Sequence, residues 1–542
     1  MENQSKTASP QHEMIIIGAG VSGIYQLYRL LEMGVDVTVL EAGSAPGGTW
    51  FWNRYPGARF DSESYTYGYS FSKELLEEWN WSEHFSGQPE TLRYLNHVVD
   101  KFDLEKYIQF DCKVASAEFN EDACFWTVNL GDGRQLTARF LLTAIGMLSA
   151  PTMPTIPGVD SFKGQAFHTY YWPQERLDFT GKKVGVIGTG ATAVQLIGEI
   201  ADKVGELTVF QRRPNWCAPL HNGPIDEAEM AKIKASYDEI FAQCHATPGG
   251  FIHGPDRRRF NEVAADERLA FWEELYNSPG FGVWLGNFRD VLVEEEANEE
   301  FTKFIADKIR LRVDDPAIAE KLIPTDHGFG TRRVPMETRY YEAYNRDNVH
   351  LIDINDTPIE CITPGGIKTS AQEHEFDVII YATGFDAITG AFDRIEFTGV
   401  DGEKLADKWN DGPLTYLGLQ TVGFPNLITI SGPQGGSVAT NFPRGIEESV
   451  DWITTLLKHL RDNDYSRIEP TREAEGEWTA HVKQSYEYSL LGNTKSWFTG
   501  YNSNVEGHTD TMRYLIYNGG APRYRKRLAE VSDDNYSGFD LR

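Results

Sequence analysis

Two stretches of this 542-residue chain constrain its fold more than any other feature. The first is "EMIIIGAGVSGIYQLYRLLEMGVDVTVLEAG", from residue 13; the second is "GKKVGVIGTGATAVQLIGEIADKVGELTVFQRR", from residue 181. Each has an apolar run, a glycine turn, apolar residues at helical spacing and a second apolar run. That is the pattern of a βαβ unit with buried parallel strands. Gly18 and Gly188 open equivalent turns, 170 positions apart, and 23 residues further on stand Glu41 and Gln211. A chain with two such units folds as α/β, with two Rossmann-like dinucleotide-binding domains. Its length also calls for more than one core.

In the first unit Gly18 provides the tight turn, Gly20 lets a pyrophosphate approach the backbone beside Ser22, and Gly23 lets helix and strand pack closely. Glu41, ending the next strand, accepts hydrogen bonds from ribose hydroxyls and repels a 2′-phosphate, so this site suits FAD or NAD. The second unit has Gly188, Thr189, Gly190, Ala191, Thr192 and Ala193 in the turn. Where the first has an acid, it has Gln211 followed by Arg212 and Arg213. Guanidinium groups there are the receivers of a 2′-phosphate, which points to NADPH. The pair reads as a flavoprotein, FAD reduced by NADPH. The five cysteines are scattered, with no redox CxxxxC pair and no metal-ligand spacing. A disulfide acceptor is thereby excluded, leaving O2 to receive the electrons.

Between the motifs, "KYIQFDCKVASAEFNEDACFWTVNLGDGRQLTARFLLTAIG" reads as antiparallel strands returning to an apolar one. Residues 225–325 carry helical periodicity with charges on the opposite face. Strands resume at "VHLIDI", "FDVIIYATGF" and "PNLITISGP", and a long helix is expected over about 445–462. We divide the chain into an FAD-binding domain (1–150 and 386–542), an NADP-binding domain (151–224 and 326–385) and a helical insertion (225–325). The net charge of −29 argues against nucleic acid and anionic membranes as partners. The N-terminal "MENQSKTASPQHE" lacks an apolar signal core, and unpaired thiols suit a reducing compartment, so the reading is cytoplasmic. Monomer and homodimer both remain open.

The segment "FKGQAFHTYYWP" (162–173) fits F-x-G-x-x-x-H-x-x-x-W-P, through Phe162, Gly164, His168, Trp172 and Pro173. On this, and on "GGTWFWNRYPGARFDSES", "VGVIGTGATAVQ", "FGTRRVPMETRYYEAYNRDNVHL", "YATGFDA" and "SWFTGYN", the chain resembles the type I Baeyer–Villiger monooxygenases over nearly its whole length. The resemblance implies conversion of a ketone, bulky or cyclic, to an ester or lactone through a C4a-peroxyflavin anion. It implies Arg333 as the cation that stabilises that anion and Asp61 as the acid that holds Arg333. It further implies FAD contacts at Gly48, Thr49, Trp50, Asp61, Tyr67, Val114 and Met147. NADP contacts would fall to Arg332 and Trp497, and Phe442 would line the substrate pocket beside the flavin. His168 is read as a linker residue that orders the connection between the two domains. The alternative is a flavin-containing N- or S-oxygenase, against which Trp172 and the Arg333–Asp61 pair count.

Overall fold

The computed structural model describes residues 9–509 and 511–542. Most of the polar stretch read above as lacking a signal core, residues 1–8, lies outside the described residues.

The first glycine motif lies between β1 (His12–Ile17) and α1 (Val21–Glu32), which leads to β2 (Val37–Leu40). The apolar run is long enough to be buried on both faces, and Met14, Ile15 and Ile16 are fully enclosed. β1 pairs in parallel with β2 on one side and with β6 (Gln135–Thr143) on the other. β2 is flanked in turn by β3 (Ile108–Gln109). β4 (Val114–Asn120) and β5 (Phe125–Leu130) form the antiparallel excursion that returns through β6, as the turn residues predicted. Two late strands complete this sheet: Glu396–Thr398 beside β4 and Leu427–Thr429 beside β6.

The second sheet is wholly parallel, in the order Val349–Asp353, β9 (Glu206–Gln211), β8 (Lys183–Ile187), Val378–Tyr381, β7 (Gln165–His168). α2 (Ala191–Ile200) follows β8 across the second glycine turn. Both sheets are wound as dinucleotide-binding units, and each has its own core.

Residues 225–325 are helical, with Glu227–Ala235, Tyr237–Ala246, Ala265–Asn277, Glu295–Arg312 and Pro316–Leu322 as the main elements. The charged run from 226 to 244 breaks into two helices at Ser236. The C-terminal helix Phe442–Asp462 packs its apolar stripe against α1, burying Ile446, Val450, Ile453 and Leu457.

One segment differs from the reading above. "FKGQAFHTYYWP" is less a connection than an edge of the second sheet. Gln165–His168 is a strand, paired with Val378–Tyr381, and Trp172 packs between Phe167 and Phe179 in the second core. Gly164 sits where a Cβ would meet the Asp377 carbonyl oxygen at 2.5 Å, so the strand can approach only with glycine there. Alternation over four residues is too short to announce a strand in the sequence.

Candidate active site

The two glycine turns are superposable in kind. Gly18 and Gly188 have φ of 104° and 114°, and a Cβ on either would strike a carbonyl oxygen just past the end of the neighbouring strand, that of Ala144 at 2.5 Å and of Ala382 at 2.4 Å. Gly20 and Gly190 occupy the N-cap positions of α1 and α2, and neither helix has a side-chain cap. The first N–H groups of both helices are therefore left to a ligand, as a pyrophosphate requires. A Cβ on Gly190 would meet nothing within 4 Å, whereas one on Gly23 would meet the Gly18 oxygen at 1.9 Å. Gly190 faces open space and Gly23 serves helix–strand packing. Ala193 takes the third position of the second unit, fully buried, while Ala191 and Thr192 form its first turn with Thr189 before it.

Glu41, at the end of β2, is 4% exposed; its Oε2 accepts from the Ala19 N–H and its Oε1 from the Gly43 N–H, both at 2.7 Å. Burial pushes its carboxyl above the usual range, and these amides oppose that. Gln211, its counterpart, turns away: its amide donates to the Lys321 oxygen at 2.6 Å. The strand end is left to the exposed Arg212 and Arg213. Arg212 donates to Asn504 Oδ1 at 2.9 Å, and Arg213 lies 5.7 Å from the Tyr501 ring centroid. The Thr189 hydroxyl donates to the Arg213 carbonyl at 2.7 Å, tying that loop to the glycine turn. Adjacent cations whose contacts here are neutral fit a 2′-phosphate, and an acid fixed among backbone amides fits a ribose. The residues present thus fit NADP at the second site and FAD at the first.

Asp61 and Arg333, 272 positions apart, meet: Arg333 Nη2 lies 2.7 Å from Asp61 Oδ2. The Asp61 side chain is fully buried and the Arg333 side chain 30% exposed; one end of the guanidinium is anchored on Asp61, and Nη1 donates to the Val334 carbonyl at 3.2 Å. The Met336 N–H also donates to Asp61 Oδ2, at 3.2 Å, and the Arg333 guanidinium lies 5.9 Å from the Phe281 ring. Arg332 points elsewhere, with Nη2 2.9 Å from Asp326. The His327 hydrogen bond, together with Arg332, holds Asp326 well below the usual carboxylate range.

The remaining candidates are scattered around these pairs. Trp50 donates through Nε1 to Tyr67 Oη at 3.1 Å, and Tyr67 stacks on Phe60 at 4.1 Å. Thr49 is exposed, directly after Gly48. Val114 opens β4 and is buried. The Met147 carbonyl accepts from the Ile388 N–H at 2.9 Å. Phe442 begins the long C-terminal helix, and Trp497 is half-buried against Phe498. His168 Nδ1 accepts from the Tyr170 N–H at 3.1 Å; burial lowers its pKa to about 4, so the ring is neutral. Tyr170 stacks on Trp52, 5.3 Å away, which joins this segment to the short helix Thr49–Trp52 that follows Gly48.

Reading the sequence missed several partners: Tyr501 and Asn504, which reach the basic pair from nearly 300 residues away, and Phe281 of the insertion. It also passed over Gln195, although that residue ends the quoted "GTGATAVQ". Among the described residues no His, Cys, Asp and Glu group could hold a metal ion, and no helix is long and apolar enough to cross a membrane.

Residues 11–222 match the flavin-binding monooxygenase-like family. The 2-oxo-Δ3-4,5,5-trimethylcyclopentenylacetyl-CoA monooxygenase of Pseudomonas putida is 47% identical, covering 100% of both chains. A Baeyer–Villiger monooxygenase of Pseudooceanicola batsensis is 38% identical, over 99% of this chain and 97% of that one. Among solved structures, OTEMO in complex with FAD and NADP superposes with a TM-score of 0.95 at 46% identity, covering 99% of this chain and 100% of that one.

Proposed function

The chain belongs to the FAD-dependent Baeyer–Villiger monooxygenases, and from that premise we propose that Arg333, held by Asp61, is the cation on which ketone oxygenation depends. The chemistry supplied by bound FAD and NADPH is hydride transfer followed by activation of O2 for insertion beside a ketone carbonyl. The single observation that carries the proposal is the 2.7 Å pair between a fully buried Asp61 and a partly exposed Arg333.

A guanidinium stays protonated across the physiological range, so Arg333 presents positive charge without giving up a proton. Negative charge develops on the attacking oxygen and then on the former carbonyl oxygen of the substrate. A fixed donor at such a point is worth about 2.7–4 kcal/mol of barrier. Asp61 orients the guanidinium, and the Met336 N–H keeps the Asp61 oxygen in place. The Phe281 ring restricts the side chain on its open flank and helps to exclude water.

Arg212 and Arg213 bind the 2′-phosphate of NADPH, and Gly190 with the uncapped start of α2 receives the pyrophosphate. Arg332, engaged with Asp326, belongs to this nucleotide side, as does Trp497. On the FAD side Gly18, Gly20, Ser22, Gly23 and Glu41 hold the dinucleotide, with Gly48, Thr49, Trp50, Tyr67, Val114 and Met147 around it and Phe442 at the substrate face. The Arg333–Asp61 pair weighs against N- or S-oxygenation as the main activity, because soft nucleophiles need no cation to steady an anionic attack. The substrate we propose is a bulky or cyclic ketone, in keeping with the ring-bearing substrate named for the Pseudomonas relative. The five unpaired thiols favour the cytoplasm.

Purified holoenzyme with NADPH, O2 and ketones from acetone to bicyclic ones, followed by mass spectrometry, tests this reading. Cyclic ketones should gain one oxygen atom. Consumption of NADPH with no ketone oxygenated would overturn it.

A further inference from the structure

Asp61 has a third partner, and it lies on the other domain. Gln195, on α2, sends its side-chain N–H2 group to the Arg59 carbonyl at 3.1 Å and to Asp61 Oδ1 at 3.3 Å. Its amide oxygen accepts from the Tyr55 hydroxyl at 2.9 Å. Only one orientation of the amide suits this site: turned over, its oxygen would face two further oxygens, those of Arg59 and Asp61. The two carboxylate oxygens of Asp61 are thus divided, Oδ1 to Gln195 and Oδ2 to Arg333 and Met336.

The backbone supports the same contact. Gly57, at φ 84°, lies so close to α2 that a Cβ would meet the Gln195 carbonyl oxygen at 2.7 Å. The loop that carries Asp61 therefore rests directly on the helix that begins at the second glycine turn. Thr192 lies one turn before Gln195 on the same helix, and Gln195 accepts the hydrogen bond of the Tyr55 phenol. Burial pushes that phenol up to about 12, and both Asp61 and Arg333 bear on it.

We propose that Gln195 is a positioning residue through which the NADP-side helix holds the Asp61 carboxylate, and with it the Arg333 guanidinium, in register with the nucleotide turn. The inference rests on the reading of Arg333 given above. Gln195 acts through Asp61, and the row Gln195, Asp61, Arg333 runs from the helix that follows the second glycine turn to the charge that faces the substrate.

The test uses FAD-loaded enzyme with Gln195→Glu, Gln195→Ala and Tyr55→Phe. Gln195→Glu keeps the size and should keep full FAD content. Its new carboxyl can donate to Asp61 only while protonated, and the Asp61 charge raises its pKa. Lactone formation should therefore fall as pH rises, on a limb absent from the parent enzyme. Gln195→Ala should lower kcat about tenfold or more, since misplacing a catalytic group can cost up to about a hundredfold, with the ketone KM little changed. Tyr55→Phe should act in the same direction, more weakly. In melting experiments the cost of Gln195→Ala should shrink in an Asp61→Ala background, as it does when two residues act through one contact. A Gln195→Glu pH profile that superposes on the parent's, or equal melting costs in both backgrounds, would overturn the proposal. Arg333→Ala separates the two levels. If it still forms lactone, the underlying reading fails; if it is inactive while the Gln195 variants are silent, this inference alone fails.

Discussion

Arg212 and Arg213 stand side by side at the end of β9, and their contacts are the neutral Asn504 and Tyr501. With no acid paired to them among the described residues, the two guanidinium groups repel each other until an anion joins them. Arg212→Ala should therefore raise the KM for NADPH roughly tenfold to a hundredfold, the worth of about 1.5–3 kcal/mol for a charged hydrogen bond, and leave that for NADH nearly unchanged. Steady-state kinetics with both nucleotides check it; equal effects would count against a 2′-phosphate contact. His168 makes a different prediction. Its pKa falls from 6.5 to about 4 because the ring is buried, so the unfolded chain takes up its proton first as the medium is acidified. The parent should lose stability between pH 6.5 and 4 through this group, and His168→Asn should lose less there. Melting midpoints across that range decide it; parallel curves would mean the ring is not held neutral.

The two glycine-turn elements separate packing from ligand binding. A methyl on Gly23 would collide with the Gly18 oxygen at 1.9 Å, while one on Gly190 would point into open space. Gly23→Ala should expel FAD and destabilise the protein. Gly190→Ala should leave FAD content and melting unchanged, yet weaken NADP+ binding, because the methyl takes the place of the phosphates. Flavin content, calorimetry and NADP+ titration check the contrast. Both turns are legible in the sequence because their signal is local: strand, glycines, helix and strand end fall within about 30 consecutive residues. The edge strand at Gln165–His168 was not, since its partner is 213 positions away (378 against 165) and its own alternation is brief. Ser236 likewise divides a helical pattern that looks continuous in sequence.

Across the whole molecule, the proposed active site is assembled from pieces that the sequence keeps far apart. Asp61 comes from the first domain, Gln195 from the second, Phe281 from the insertion, and Arg333 from the chain's return to the second sheet. Motif resemblance brought Asp61 and Arg333 together, but nothing local announces that Gln195 completes them or that Tyr501 and Asn504 close over the basic pair. Those are contacts of tertiary packing, set by how the domains meet. A ligand that binds only the folded chain stabilises it by mass action. NADP+ should thus raise the melting midpoint of the FAD-loaded parent and do so far less in Arg212→Ala. A nucleotide-independent midpoint in the parent would contradict the second site. The central claim, that Arg333 supplies the charge on which oxygen insertion depends, is tested most directly by measuring lactone formed per NADPH consumed in Arg333→Ala. The account predicts full FAD content, NADPH oxidation that continues at a reduced rate, and no lactone. Lactone at the parent's yield would contradict it.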